Sequence, residues 1–142
     1  METVGRIVEA YQQRPELAVA VDDTGLGGGV TDRLRELGFA PAAVNFGAKS
    51  EDPEHDANRS SELYHRLKAA LLNNRLTLTS GLPHSDALIG QLARVTYRFT
   101  SDGRRAIEKR GRDATGPSPD LADSLVLAWA AYDEANRTAG VW

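Results

Sequence analysis

The sequence predicts an α/β domain on three observations. Residues 17–21 (Leu-Ala-Val-Ala-Val) form a short unbroken apolar run that stops at Asp22-Asp23 and a glycine cluster, as a strand buried on both faces of a sheet does. Residues 42–46 (Ala-Ala-Val-Asn-Phe) give a second such run. Between and after them, apolar residues recur at helical spacing, and strand, helix and strand in that order make a parallel crossover.

The elements follow in order. Val4, Ile7, Val8 and Tyr11 are spaced by three and four, the pattern of an amphipathic helix over residues 3–13, with Pro15 as its stop. The strand at 17–21 comes next, and its carboxyl end is where chemistry is expected in an open α/β sheet. Val30, Leu34 and Leu37 mark a second helix closed by Gly38, ahead of the strand at 42–46. Residues 47–58 are polar, charged and contain Pro53, which predicts an exposed loop. Leu63, Leu67, Ala70 and Leu71 predict a third helix closed by Asn73-Asn74. Residues 76–78 are a short strand candidate, and 85–94 a helix. Runs at 95–99 and 105–108 flank Ser101-Asp102-Gly103, a hairpin signature because glycine supplies the positive φ of a tight turn. A basic, irregular stretch over 109–117 leads to a last helix over 120–136, carrying Leu121, Leu125, Ala128 and Tyr132, with Pro119 at its start.

Composition narrows the function classes. The 142 residues fit one domain over 1–142, with the basic hairpin at about 95–109 as its distinctive part. Apolar residues are 41% and charged residues 26% of the chain, so neither disorder nor membrane insertion is favoured. Zero cysteines exclude disulfides, thiolate zinc sites and cysteine nucleophiles, so any metal is expected to be a hard one held by oxygen. The start of the chain has no basic segment followed by an apolar core of signal-peptide length, which argues for cytoplasmic residence. A net charge of -3 gives no global attraction to nucleic acid, so DNA contact would rest on local basic segments.

The carboxylates are the strongest constellation. Asp22 ends the first strand, and Asp120 and Asp123, three apart, share one face of the last helix. Paired magnesium or manganese ions in phosphoryl-transfer sites need oxygen ligands gathered from such positions. Spacing alone leaves another reading open. Early-turn aspartates also cap helices and oppose the macrodipole, and Asp22-Asp23 before Thr24-Gly25 would equally form a turn.

Four segments in order carry a family resemblance: residues 19–34 (VAVDDTGLGGGVTDRL), Val44-Asn45-Phe46-Gly47 with Asn58-Arg59 and Glu62-Leu63-Tyr64, Ile107-Glu108-Lys109-Arg110-Gly111, and Ser118-Pro119-Asp120-Leu121-Ala122-Asp123. Together they resemble the nuclease domain of phage terminase large subunits, over most of residues 16–130. The resemblance implies a ribonuclease H-like mixed sheet flanked by helices and a divalent-metal-dependent DNA endonuclease using Mg2+ or Mn2+. By position, Asp22 stands where that family has its second acidic ligand and the Asp120/Asp123 pair where it has its third; Asp23 is the second choice beside Asp22. The family's first acidic ligand lies on an antiparallel meander that would precede residue 1. Its absence implies an N-terminally truncated domain, weak hydrolysis without a completed site, and an open sheet edge that invites a homo-oligomer. The implied setting is a phage or prophage DNA-packaging terminase in a bacterial host. Double-stranded DNA is the implied substrate, and the ATPase domain, portal and small subunit are the implied partners. A catalytically incomplete remnant or interaction module that needs a partner chain is the alternative.

Arg98, Arg104, Arg105, Lys109, Arg110 and Arg112 concentrate positive charge just before the acidic helix. Of these, Arg104, Arg105, Lys109, Arg110 and Arg112 are expected to hold a DNA backbone without reading bases; a solvated charged hairpin is the other reading. The glycines at 25–29 raise a nucleotide-binding alternative. However, no Lys-Ser/Thr closes a Walker loop, and Val30 and Asn45 stand where a dinucleotide fingerprint needs a small and an acidic residue. His55, His65 and His84 have no zinc spacing, with His65 expected on an exposed helix face. Trp129 and Trp142 are expected to pack rather than stack on bases.

Overall fold

A computed structural model describes residues 1–25, 27–109 and 117–139. Along them run α1 (Glu2–Gln13), β1 (Ala20–Asp22), α2 (Gly27–Glu36), β2 (Ala42–Val44), α3 (Arg59–Leu72), α4 (Ser85–Arg94), β3 (Thr96–Phe99), β4 (Arg105–Glu108) and α5 (Asp120–Thr138). They divide into two compact units, Met1–Phe46 with the chain from Leu127 onward, and Gly47–Val126. No described helix is long and apolar enough to cross a membrane.

In the first unit β1 and β2 pair in parallel, Ala20 with Ala42 and Asp22 with Val44, as the strand–helix–strand order requires. The ladder continues on either side through Ala42 N–H to Val19 O and Asp23 N–H to Val44 O, both 2.8 Å. Val4, Leu34, Val44, Phe46 and Trp129 are buried, and the Tyr11 and Phe39 rings stack at 4.7 Å. Trp129 thus packs, as expected. The strand expectation needs correcting. β1 is three residues long, only half-buried, and ends on an exposed Asp22. Among the described residues its one strand partner is β2. Two of the five residues in the 17–21 run are alanines, whose small side chains satisfy an apolar pattern without requiring burial.

In the second unit α3 begins where Asn58 Oδ1 accepts from Ser61 N–H at 3.0 Å, a side-chain cap for an otherwise unpaired amide. Its buried stripe is Leu63, Tyr64, Leu67 and Ala70, and Asn74 leaves it with φ 55°. The chain then folds back, with Arg75 and Leu76 N–H both on Ala70 O. Residues 76–78 are irregular rather than a strand: Leu76 and Leu78 are half-buried and Thr77 exposed, so the alternation is real, yet no described strand pairs with it. α4 occupies 85–94 as predicted.

β3 and β4 form the predicted hairpin, Thr96 opposite Glu108 and Phe99 opposite Arg105. Gly103 turns it at φ 82°, a conformation that side chains with a Cβ rarely adopt. The far edge of β4 is bridged by the preceding loop, through Arg105 N–H to His55 O at 2.7 Å and Ala57 N–H to Arg105 O at 2.8 Å. The expectation of an exposed loop over 47–58 therefore holds only in part. Ser50 and Asp56 are 5% and 2% exposed, because a charged network draws them in.

Candidate functional site

The predicted acidic residues fall in both units, and each group is described by itself. In the first unit Asp22 Oδ1 accepts from Thr24 N–H at 2.9 Å, and Thr24 Oγ1 accepts from Phe46 N–H at 3.2 Å. The carboxylate thereby forms a turn and stays exposed at the carboxyl end of β1. Gly25, at φ 75°, carries the chain out of that turn and towards α2. Asp23 is half-buried, and its Oδ1 is shielded from solvent with no hydrogen-bond partner among the described residues. It lies 3.8 Å from where a Cβ on Gly28 would stand, an ordinary contact distance beside the first turn of α2. An anionic oxygen in this state is expensive unless something positive meets it.

In the second unit the start of α5 is capped from elsewhere. Gln91 Oε1 of α4 accepts from Leu121 N–H at 2.8 Å and Ala122 N–H at 3.1 Å. That decides against the capping reading of the two aspartates, whose carboxylates are left for other work. Asp120 is exposed. Asp123 Oδ1 accepts from the Tyr64 hydroxyl at 2.7 Å and lies 2.8 Å from Lys109 Nζ. Both contacts fall on one oxygen, which fixes the carboxylate and leaves Oδ2 without a protein partner among the described residues.

Burial, then the Asp123 carboxylate, push the Tyr64 hydroxyl well above the ordinary tyrosine range, so it stays a donor. The sign follows: this contribution is complete below pH ~10, the unfolded value, and is lost only as pH rises through the higher folded value. Tyr64→Phe is expected to lower stability by about 1.5–3 kcal/mol, as for a hydrogen bond to a charged group. Thermal or urea unfolding at pH 7 measures it, and an unchanged midpoint would remove Tyr64 from any anchoring role.

The described basic residues of this stretch have acidic partners within the chain. Arg104 Nε pairs with Asp102 Oδ2 at 2.8 Å within the hairpin. Arg105 is committed through Nε and Nη2 to Asp56, at 3.0 and 2.8 Å. Lys109 serves Asp123. Arg110, Arg112 and Trp142 lie outside the described residues. Nor is His65 on an exposed face: its side chain is 13% exposed, with Nδ1 2.7 Å from Ser61 O. Sequence reasoning missed a buried charge network. Glu62 meets Arg59 at 2.9 Å and Arg66 at 2.7 Å, positions whose i−3 and i+4 spacing was a readable signal. The Asp56–Arg105 pair, 49 residues apart, had none.

Carboxylate oxygens are the donors that hard divalent ions take. Among the described residues no group of three or more His, Asp or Glu side chains could hold a metal ion. Magnesium sites commonly use only one or two carboxylates, completed by water and substrate phosphate. Asp123 Oδ2 fits that kind of binding, whereas Asp23 Oδ1 is shielded from a hydrated ion.

No protein-family model and no curated protein sequence matches the chain. Solved structures do. The large terminase nuclease of thermophilic phage G20c, with bound magnesium, is 19% identical with a TM-score of 0.63, over 90% of this chain and 59% of that one. A lysine-to-alanine mutant of the Sf6 large terminase gp2 nuclease domain, with manganese and beta-thujaplicinol, is 14% identical with a TM-score of 0.64, over 89% and 70%. The Sf6 gp2 nuclease domain itself is 14% identical with a TM-score of 0.63, over 84% and 67%. The chain therefore has the α/β fold of large terminase nuclease domains and spans 59% of the G20c nuclease chain.

Proposed function

We propose, with that shared fold as the premise, that this chain is part of a terminase-type nuclease that hydrolyses DNA phosphodiesters with magnesium or manganese. The observation that carries the reading is the acidic pattern on this fold: Asp22 ends β1, and Asp120 and Asp123 open α5 with their carboxylates free of capping duty. The ligands we assign are Asp22 in the first unit, with Asp23 as second choice beside it, and Asp120 and Asp123 in the second. A dication held by carboxylates of this kind would acidify water and neutralise charge developing on the phosphate.

The chain's own groups have separate duties. Thr24 N–H orients Asp22, while Tyr64 and Lys109 orient Asp123 through Oδ1. Lys109 also sets a positive charge beside the acidic helix. With Arg104, Arg105, Arg110 and Arg112 it is assigned to the DNA backbone, Arg105 through Nη1, which has no partner among the described residues. Double-stranded DNA is the proposed substrate. The ATPase domain, portal and small subunit of a phage or prophage terminase are the proposed partners, in the bacterial cytoplasm.

Plasmid cleavage in manganese tests this, with the native chain beside Asp22→Asn and Asp123→Asn. Each substitution is expected to reduce the rate about 100-fold, the order of effect when a group supplying several kcal/mol of charge stabilisation is removed. Equal rates in native and variant would sink the assignment of that residue. No cleavage by the native chain would favour the second reading, an incomplete module that depends on another chain for a ligand.

A further inference from the structure

One face of the unit Gly47–Val126 is unlike the rest of its surface. On β3, Tyr97 and Phe99 are 46% and 64% exposed, and being two apart they lie on the same face of the strand. Their rings meet edge to face at 5.7 Å, and His65 adds a third ring 5.3 Å from Tyr97. Beside them runs a mainly apolar groove of about 900 Å³ between α3, α4 and the hairpin, with Leu72 on its rim 71% exposed. That volume lies within the ~300–1,000 Å³ typical of ligand pockets.

The charge around this apolar face has one sign in excess. Lys68 Nζ stands 5.7 Å over the Tyr97 ring, and among the described residues it pairs with no carboxylate. Arg98, 61% exposed, alternates to the other face of β3, where it pairs with Glu108 at 3.5 Å. Exposed rings beside an unpaired cation are complementary to an unpaired nucleic-acid strand, whose bases stack on the rings while its phosphates meet the cation. A duplex keeps its base faces stacked on one another at ~3.4 Å per step and offers them to no ring.

We infer that this face binds single-stranded DNA, with bases stacked on Phe99 and Tyr97 and phosphates met by Lys68. The inference rests on the reading of the chain as a DNA nuclease and deepens it by naming an unpaired strand as part of what is bound.

Fluorescence anisotropy in EDTA, with the full chain and a labelled 20-nucleotide oligothymidylate or a duplex of equal length, tests it. The single strand is expected to bind more tightly than the duplex. Phe99→Ala is expected to weaken single-strand binding about 10-fold, within the range for losing one base–aromatic stack. Phe99→Trp should retain it, and neither should move the thermal midpoint, since the ring is exposed. Unchanged affinity in Phe99→Ala, or equal affinity for duplex, overturns the inference. So does a Phe99-dependent dimer in sedimentation with no DNA bound, which would assign the face to protein. The two readings fail separately: binding without cleavage leaves this face standing and removes the nuclease, while cleavage with Phe99-independent binding does the reverse.

Discussion

Glu62→Ala is expected to lower the stability of the chain by about 3–5 kcal/mol, the scale for breaking a buried ion pair from one side. The Glu62 side chain is 2% exposed and satisfies four groups at once. Its Oε1 meets Arg59 and Arg66, while its Oε2 accepts from Ser50 Oγ at 3.0 Å and Glu51 N–H at 2.8 Å. Alanine leaves two guanidinium groups with only Glu51, a carboxylate that is 53% exposed, and strips two donors in the loop of their acceptor. Glu62→Gln keeps acceptor capacity without the charge and should fall between. Equilibrium urea unfolding followed by circular dichroism is the measurement; a loss under about 1 kcal/mol, the scale of an exposed pair, would mean that the loop is not anchored there.

Arg105→Ala is the second large effect, about 3 kcal/mol or more on the same principle. It leaves Asp56, with 3% of its side chain exposed, facing only His65 at 3.4 Å. Because the Arg105 backbone also bridges the 55–57 loop to β4, the damage should stay local, with the hairpin turn intact. The paired substitution Asp56→Leu with Arg105→Met should recover much of the loss, since apolar groups of similar size leave no charge buried alone. If the double variant is as unstable as Arg105→Ala, the cost comes from packing rather than from a stranded carboxylate.

Legibility in the sequence followed the range of the cause. Asn58 before α3, Gly103 in the hairpin and the 3.6-residue stripes all act within a few positions, so these elements were readable. The parallel pairing of β1 and β2 followed from the strand–helix–strand order. Where the deciding partner lies far along the chain, the sequence was silent. Gln91 caps α5 from 30 residues away, Tyr64 reaches Asp123 across 59, and Asp56 finds Arg105 across 49. The candidate acids were legible as residue types at an element's end, whereas the anchoring of Asp123 was not. Lys109 shows the limit most clearly: a cation in a basic run reads as a phosphate contact, and nothing in the run announces that it stands 2.8 Å from Asp123.

α5 has one foot in each unit, Asp120 to Val126 in the second and the residues after it in the first. The first unit is thus discontinuous, its opening 46 residues awaiting the far end of the same helix. During synthesis every residue of the second unit has been made before the remainder of α5. A unit whose parts lie on either side of another can close its core only after that other has been made, so residues 47–126 can complete their core before residues 1–46 complete theirs.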